Sequence, residues 1–218
     1  MNIKGLEIHW KGHDCFSIKT SKGIIYIDPF ELKETTHDAD YIFITHEHFD
    51  HCHPESIGKI IKEDTIIIAT PDCQSKLSSF RFKALHPVEP NKNYTIGELN
   101  IETVPSYNTN KFRSPGQPFH PKEDGKVGYL ITIDNKRLYH AGDTDHIAEM
   151  KDLHNIDIAF VPVSGTYVMT AQEAAEAVNN FRPALAIPMH YGSIVGSKAD
   201  AETFKNASHV PVQILEKE

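Results

Sequence analysis

"YIFITHEHFDHCHPES", residues 41–56, is an apolar run that breaks into four histidines and one aspartate within eight positions. The apolar part, "YIFIT" (41–45), has the length and composition of a strand buried on both faces. A packed core has no use for so many imidazoles and a carboxylate on one short loop. The stretch therefore reads as a buried strand that delivers metal ligands at its end.

Donor chemistry narrows the ion. Imidazole and carboxylate groups suit zinc, with manganese or iron as alternatives, whereas calcium and magnesium want oxygen almost throughout. His46 and His48 stand two apart, so an extended chain points both to one side, where one ion can take both. Asp50 and His51 are adjacent and diverge from that pair unless the backbone turns, which favours a second ion. Two-metal hydrolases hold their ions about 3.5–4 Å apart.

Such a centre needs a bridging carboxylate and a further imidazole from elsewhere. "LYHAGDTD" (138–145) offers Asp143 just after a glycine, where the backbone can approach closely. "AIPMHYGS" (186–193) offers His190 at the end of an apolar run. Alone, the first motif is often a turn and the second more often a core histidine. Beside the 46–51 loop they become a set.

The surrounding chain alternates strands and helices. Strands are expected at 6–10, 15–19, 23–28, 41–45, 65–70, 99–106, 127–134, 136–143, 157–164 and 184–190, most of them apolar on both faces. Helices are expected at 54–62, with Pro54 in the first turn, at 71–80, and near 145–152 and 200–207. The clearest helix is 170–181, where Thr170 and Glu173 spell a capping box and Pro183 stops the run. This rhythm predicts an α/β protein, a four-layer αββα sandwich of two mixed sheets with helices outside. No Pro/Ser/Gly-rich linker splits the chain, so residues 1–218 are read as one domain. "YNTNKFRSPGQPFHPKEDGK" (107–126) fits no element; Phe112, Phe119 and His120 favour an ordered flap.

Composition removes several functions. With 22 basic against 30 acidic residues the net charge is −8, and no Lys/Arg block or basic-aromatic stripe offers a nucleic-acid surface. The longest apolar runs are strand-sized, far below a membrane span, and residues 1–20 show no leader pattern. Cys15, Cys52 and Cys73 form no paired spacing, which fits a reducing compartment, the cytoplasm. A small-molecule substrate is expected, with no membrane partner; oligomeric state has no signal in the chain. Neither a G-x-S-x-G elbow nor a phosphate-cradling P-loop is present.

"THEHFDH" (45–51) resembles the HxHxDH signature of the metallo-β-lactamase superfamily, and "AGDTD" and "PMHYGS" stand where that superfamily has its bridging aspartate and last histidine. "WKGHDCFSI" (10–18), "YIDPF" (26–30) and "HAGDTDHIAEM" (140–150) are similar to a subgroup of small metal-dependent hydrolases that includes ascorbate-phosphate lactonase. That subgroup is distantly similar to N-acylphosphatidylethanolamine phospholipase D. The match in order and spacing runs from residue 9 to residue 193. It implies His46 and His48 on a first ion, Asp50 and His51 on a second, Asp143 as the bridge and His190 completing the second ion.

One departure matters. The superfamily takes a third histidine for its first ion from a strand end, where this chain has "VPSYNTN" (104–110). Asn108 could coordinate through its amide oxygen, His120 could swing in from the flap, or one ion could act alone. Asp28 is a candidate to orient a ligand histidine, against the bland alternative of an Asp-Pro turn. His13 is weighed between a role near the metals and a surface position, His140 is read as structural, and Cys52 and His53 are expected to turn away. The implied activity is hydrolysis of a lactone, phosphodiester, thioester or amide by metal-activated water, with Asp50 orienting the attacking group or returning its proton to the leaving group. A non-catalytic protein with a degenerate metal site, or a redox di-iron protein on the same fold, is the alternative. The di-iron branch generally carries Glu where this chain has His48.

Overall fold

Tyr41–Ile44 is the expected buried strand, the fifth of seven in a mixed sheet. The computed structural model describes residues 1–218, which divide into two units: 1–89 with 216–218, and 90–215. In the first unit the sheet runs in sequence order: β1 (Asn2–Ile3), β2 (Leu6–Gly12), β3 (Cys15–Thr20), β4 (Gly23–Ile27), β5 (Tyr41–Ile44), β6 (Ile66–Ala69) and β7 (Ala84–Pro87). The first four pair antiparallel as tight hairpins, and β4 to β7 pair parallel. Parallel neighbours need crossovers. One of these carries helix α1 (Pro54–Ile60), which buries Ile57 and Ile60; after β6 a 3-10 turn leads into the single helical turn α2 (Gln74–Leu77). Isoleucines 25, 27, 42, 44, 67 and 68 are fully buried, the mark of strands covered on both faces.

The second unit is built on a six-stranded mixed sheet. Its strands are β8 (Asn93–Ile96), β9 (Leu99–Pro105), β12 (Val127–Ile133), β13 (Lys136–His140), β14 (Ile158–Pro162) and β15 (Ala186–Met189), in the order β15-β14-β13-β12-β9-β8. Pairing is antiparallel from β8 to β13 and parallel from β13 to β15. Helix α3 (Ala171–Phe181) carries the expected capping box, with Thr170 and Glu173 each bonded to the other's backbone. Its small apolar face, Ala171, Ala174, Ala175, Ala177, Val178 and Phe181, is buried, and α4 (Lys198–Ala207) packs beside it.

Several expectations shift. The helix expected near 145–152 is only a 3-10 segment, Ala148–Asp152, and 71–80 shrinks to the 3-10 turn and α2. β7 and β8 lack the apolar runs that mark the central strands, so nothing local signals them. The 107–126 flap is ordered: it holds the small hairpin β10 (Phe112–Ser114) with β11 (Gln117–Pro118) and a 3-10 turn at Lys122–Asp124. No helix is long and apolar enough to cross a membrane.

Candidate metal centre

In open α/β sheets, ligands bind outside the carboxyl ends of the strands, and both units put their donors there. In the first, β4 leads into Asp28 and β5 runs through Thr45 into His46. In the second, β13 leads to Asp143, β14 to Ser164 and β15 directly to His190. The positions are strained. His13, Asp28 and His190 have left-handed backbone, φ 51°, 44° and 60°. Such non-glycine residues cost about 1–3 kcal/mol each and persist where the surroundings enforce them. Gly142, φ 64°, turns the chain just before Asp143.

Within the first unit the loop does turn after His48. The backbone N–H groups of His51 and Cys52 both donate to His48 O, at 3.1 and 2.8 Å. The turn lays the His51 ring against that of His46, centroids 4.0 Å apart, so the two pairs that an extended loop would separate share one cluster. His46 Nε2 lies 3.0 Å from His48 Nδ1, a spacing that a shared proton or a shared cation stabilises. His13, Asp50 and His51 present ligand atoms within 4.8 Å of one another. His51 Nε2 is 3.6 Å from Asp14 Oδ2 and 3.9 Å from Asp50 Oδ2, and His13 Nε2 is 3.2 Å from Asp50 Oδ2.

Within the second unit Asp143 is the hub. Its Oδ2 lies 3.2 Å from His120 Nε2, and its Oδ1 lies 3.4 Å from His190 Nε2. The flap thus brings His120 to the aspartate, and a different imidazole faces each carboxylate oxygen, a disposition that suits a bridging ligand. His120, Asp143 and His190 are all buried.

The hydrogen bonds decide which ring nitrogen each histidine presents. His51 Nδ1 donates to Asp28 Oδ2 at 2.8 Å. Thr45 Oγ1 gives its only proton to Asp28 Oδ2 at 2.7 Å, so it can only accept from His46 Nδ1, 3.0 Å away. Ser164 Oγ donates to Thr166 O at 3.2 Å and therefore accepts from His190 Nδ1 at 2.9 Å. His120 Nδ1 meets Asn108 Oδ1 at 2.9 Å. All four rings hold Nδ1–H outward and turn Nε2 toward another donor atom. That is the arrangement in which histidine binds a metal, the outer acceptor fixing tautomer and ring orientation. With neutral imidazoles and carboxylates as donors, the residues fit zinc, manganese or iron.

Asp28 is therefore more than an Asp-Pro turn: it holds Thr45 through both backbone and hydroxyl, and His51 through its ring. His13 is buried against Asp50 rather than at the surface. Cys52 faces the hydrophobic core, while His53 caps α1 by accepting from Ser56 N, and neither joins the cluster. His140 is buried against Phe160. Asp14 has no local signal, because "HD" beside a turn carries no motif. Asp145 stands in plain view in "AGDTD", yet nothing local distinguishes it from a turn residue.

A model of the beta-lactamase superfamily domain matches residues 7–190 of the chain. A UPF0173 protein of Pyrococcus abyssi is 33% identical over 199 residues, covering 89% of this chain and 88% of the relative. A UPF0173 metal-dependent hydrolase of Thermoplasma acidophilum is 30% identical over 215 residues, covering 93% and 91%. Among solved structures, a Parabacteroides distasonis chain named as a metal-dependent hydrolase is 35% identical with a TM-score of 0.79, over 98% of this chain and 94% of that one. The metallo hydrolase Igni18 of Ignicoccus hospitalis, at 23% identity and TM-score 0.74 over 97% and 95%, shares the fold.

Proposed function

The chain belongs to the beta-lactamase superfamily domain family, and from that membership we propose that it is a metal-dependent hydrolase cleaving an ester-like bond of a small molecule. The ligand set is His46, His48, Asp50 and His51 with Asp143, His190 and His120, serving one or two divalent ions, zinc first. The observation that carries this is the shared tautomer of four histidines, each with Nδ1 held by an outer acceptor and Nε2 turned to another donor. When bound, such ions bring the pKa of water down to about 7 and polarise a carbonyl or phosphoryl oxygen.

The chain's own residues supply the rest. Asp50, oriented by His13 at 3.2 Å, is placed to hold a proton and return it to a leaving group. Asp28 and Thr45 keep His46 and His51 in their productive tautomers. No protein nucleophile is required, so the bond class is that of a lactone, phosphodiester, thioester or amide. The family match runs from residue 7 to residue 190, in keeping with one functional domain over 1–218. The net charge of −8 speaks against a nucleic-acid substrate, and three free thiols, all buried, suit the cytoplasm.

The test is elemental analysis and a panel of lactones, phosphodiesters and thioesters. His48→Ala and Asp143→Asn should each lose at least one metal equivalent and nearly all hydrolytic activity. Full metal content in both variants would overturn the ligand set.

A further inference from the structure

The chain has Asn108 in the stretch where the resemblance calls for a histidine, and the hydrogen bonds show how that asparagine is used. It is buried, and each polar group of its side chain is engaged. Nδ2 donates to Asp145 Oδ1 at 3.1 Å and to Tyr167 O at 2.8 Å. Oδ1 accepts from His120 N at 2.9 Å and meets His120 Nδ1 at 2.9 Å. Asn108 N also donates to His120 O at 2.9 Å.

The amide orientation follows without choice. A carboxylate and a carbonyl oxygen only accept, and a backbone N–H only donates, so the nitrogen faces Asp145 and Tyr167 and the oxygen faces His120. An amide oxygen cannot donate, so the proton in the His120 contact belongs to Nδ1. With that proton on Nδ1, the nitrogen left to meet an ion is Nε2, the atom 3.2 Å from Asp143 Oδ2. Both lone pairs of Asn108 Oδ1 are occupied, which leaves none for an ion.

Asp145 holds this arrangement from behind. Besides Asn108, its carboxylate accepts from the backbone N–H of Thr109 at 2.7 Å and of Asn110 at 2.9 Å, and its own N–H donates to Tyr107 O at 3.0 Å. The residue two past Asp143 therefore fastens the start of the flap.

We propose that Asn108 is a positioning residue, locked by Asp145, which holds the flap histidine His120 in its Nδ1–H tautomer and so presents Nε2, beside Asp143, as an imidazole ligand for a metal ion. The proposal rests on His120 being a ligand, and it divides the task of one strand-end histidine between two residues. Asn108 supplies the orientation and His120 the nitrogen.

Two readouts test it. Long-range ¹H–¹⁵N correlation spectra of histidine-labelled, metal-free protein at pH ~8, above the ordinary histidine pKa of about 6.5, report the tautomer directly. Zinc titration against a chromophoric chelator reports affinity. In the unsubstituted chain His120 should be in the Nδ1–H form before any metal is added. Asn108→Leu should release that tautomer and weaken binding of one zinc about 10–100-fold, the usual effect of losing an outer partner.

An Nε2–H ring in the unsubstituted protein overturns the proposal, with no dependence on how a variant folds. So does an Asn108→Leu protein with unchanged tautomer and zinc affinity. If His120→Ala binds zinc as the unsubstituted chain does while that chain's ring is Nδ1–H, the ligand assignment fails and the proposal with it. That failure differs from a wrong tautomer, which is seen without metal.

Discussion

A histidine becomes a reliable ligand when the nitrogen that does not bind is already committed. Thr45 shows this most economically: one hydroxyl donates to Asp28 Oδ2 and accepts from His46 Nδ1, so a single residue beside the signature sets a tautomer. Thr45→Val keeps the shape and removes both bonds. The expected result is a metal affinity lower by about 10–100-fold and a stability loss of about 1–3 kcal/mol from the buried partners left behind. Calorimetric titration and denaturant unfolding measure the two. An unchanged affinity would mean that Thr45 does not orient His46. The ligand types themselves were legible in "HEHFDH", "GD" and "PMH". Thr45, Ser164 and Asn108 were not legible as orienting residues, because their partners lie across a loop or tens of positions away.

Among the elements, α3 does more than cover its sheet. Its capping-box residue Glu173 accepts from Thr170 N at 2.7 Å, from Asn110 Nδ2 at 2.6 Å and from Lys111 Nζ at 2.7 Å, so the helix start also ties down the flap. Burial pushes the Glu173 carboxyl up, but the bonds from Lys111, Thr170 and Asn110 outweigh it and bring its pKa down to about 2. A carboxylate with a depressed folded-state pKa stabilises fully above its unfolded value, 4.5, and loses that contribution as pH falls toward about 2. Glu173→Gln should therefore flatten the acid limb of stability between those values, and at neutral pH it should cost roughly 0.5–2 kcal/mol as a weakened cap. Thermal unfolding across that range checks it, and an acid limb parallel to that of the unsubstituted chain would refute it. The capping box was visible in "TAQE" and the parallel strands β4 to β6 in their isoleucine-rich runs. The 148–152 segment stayed 3-10, since local periodicity cannot tell whether packing will extend a turn into a helix.

For the molecule as a whole, metal and stability should be linked. An ion that binds the folded chain at 100 times its Kd adds about 2.7 kcal/mol, which for a chain of this length raises Tm by about 5–11 °C. Adding zinc to chelator-stripped protein should produce that rise, and His48→Ala should diminish it. A Tm indifferent to zinc at saturating concentration would count against a resident ion. The amino-acid order by itself determined the strand-and-helix rhythm, the metal-binding character of the 46–51 loop and the likeness to a family of hydrolases, because periodicity, donor type and motif spacing are local properties of a chain. Only the tertiary structure decided that His120 meets Asp143, that every polar group of the Asn108 side chain is engaged, that Asp14 and Asp28 stand beside His51, and that Asp145 fastens the start of the flap. Those facts are contacts between residues far apart in sequence, and such contacts exist only once the loops after each sheet's strands have folded.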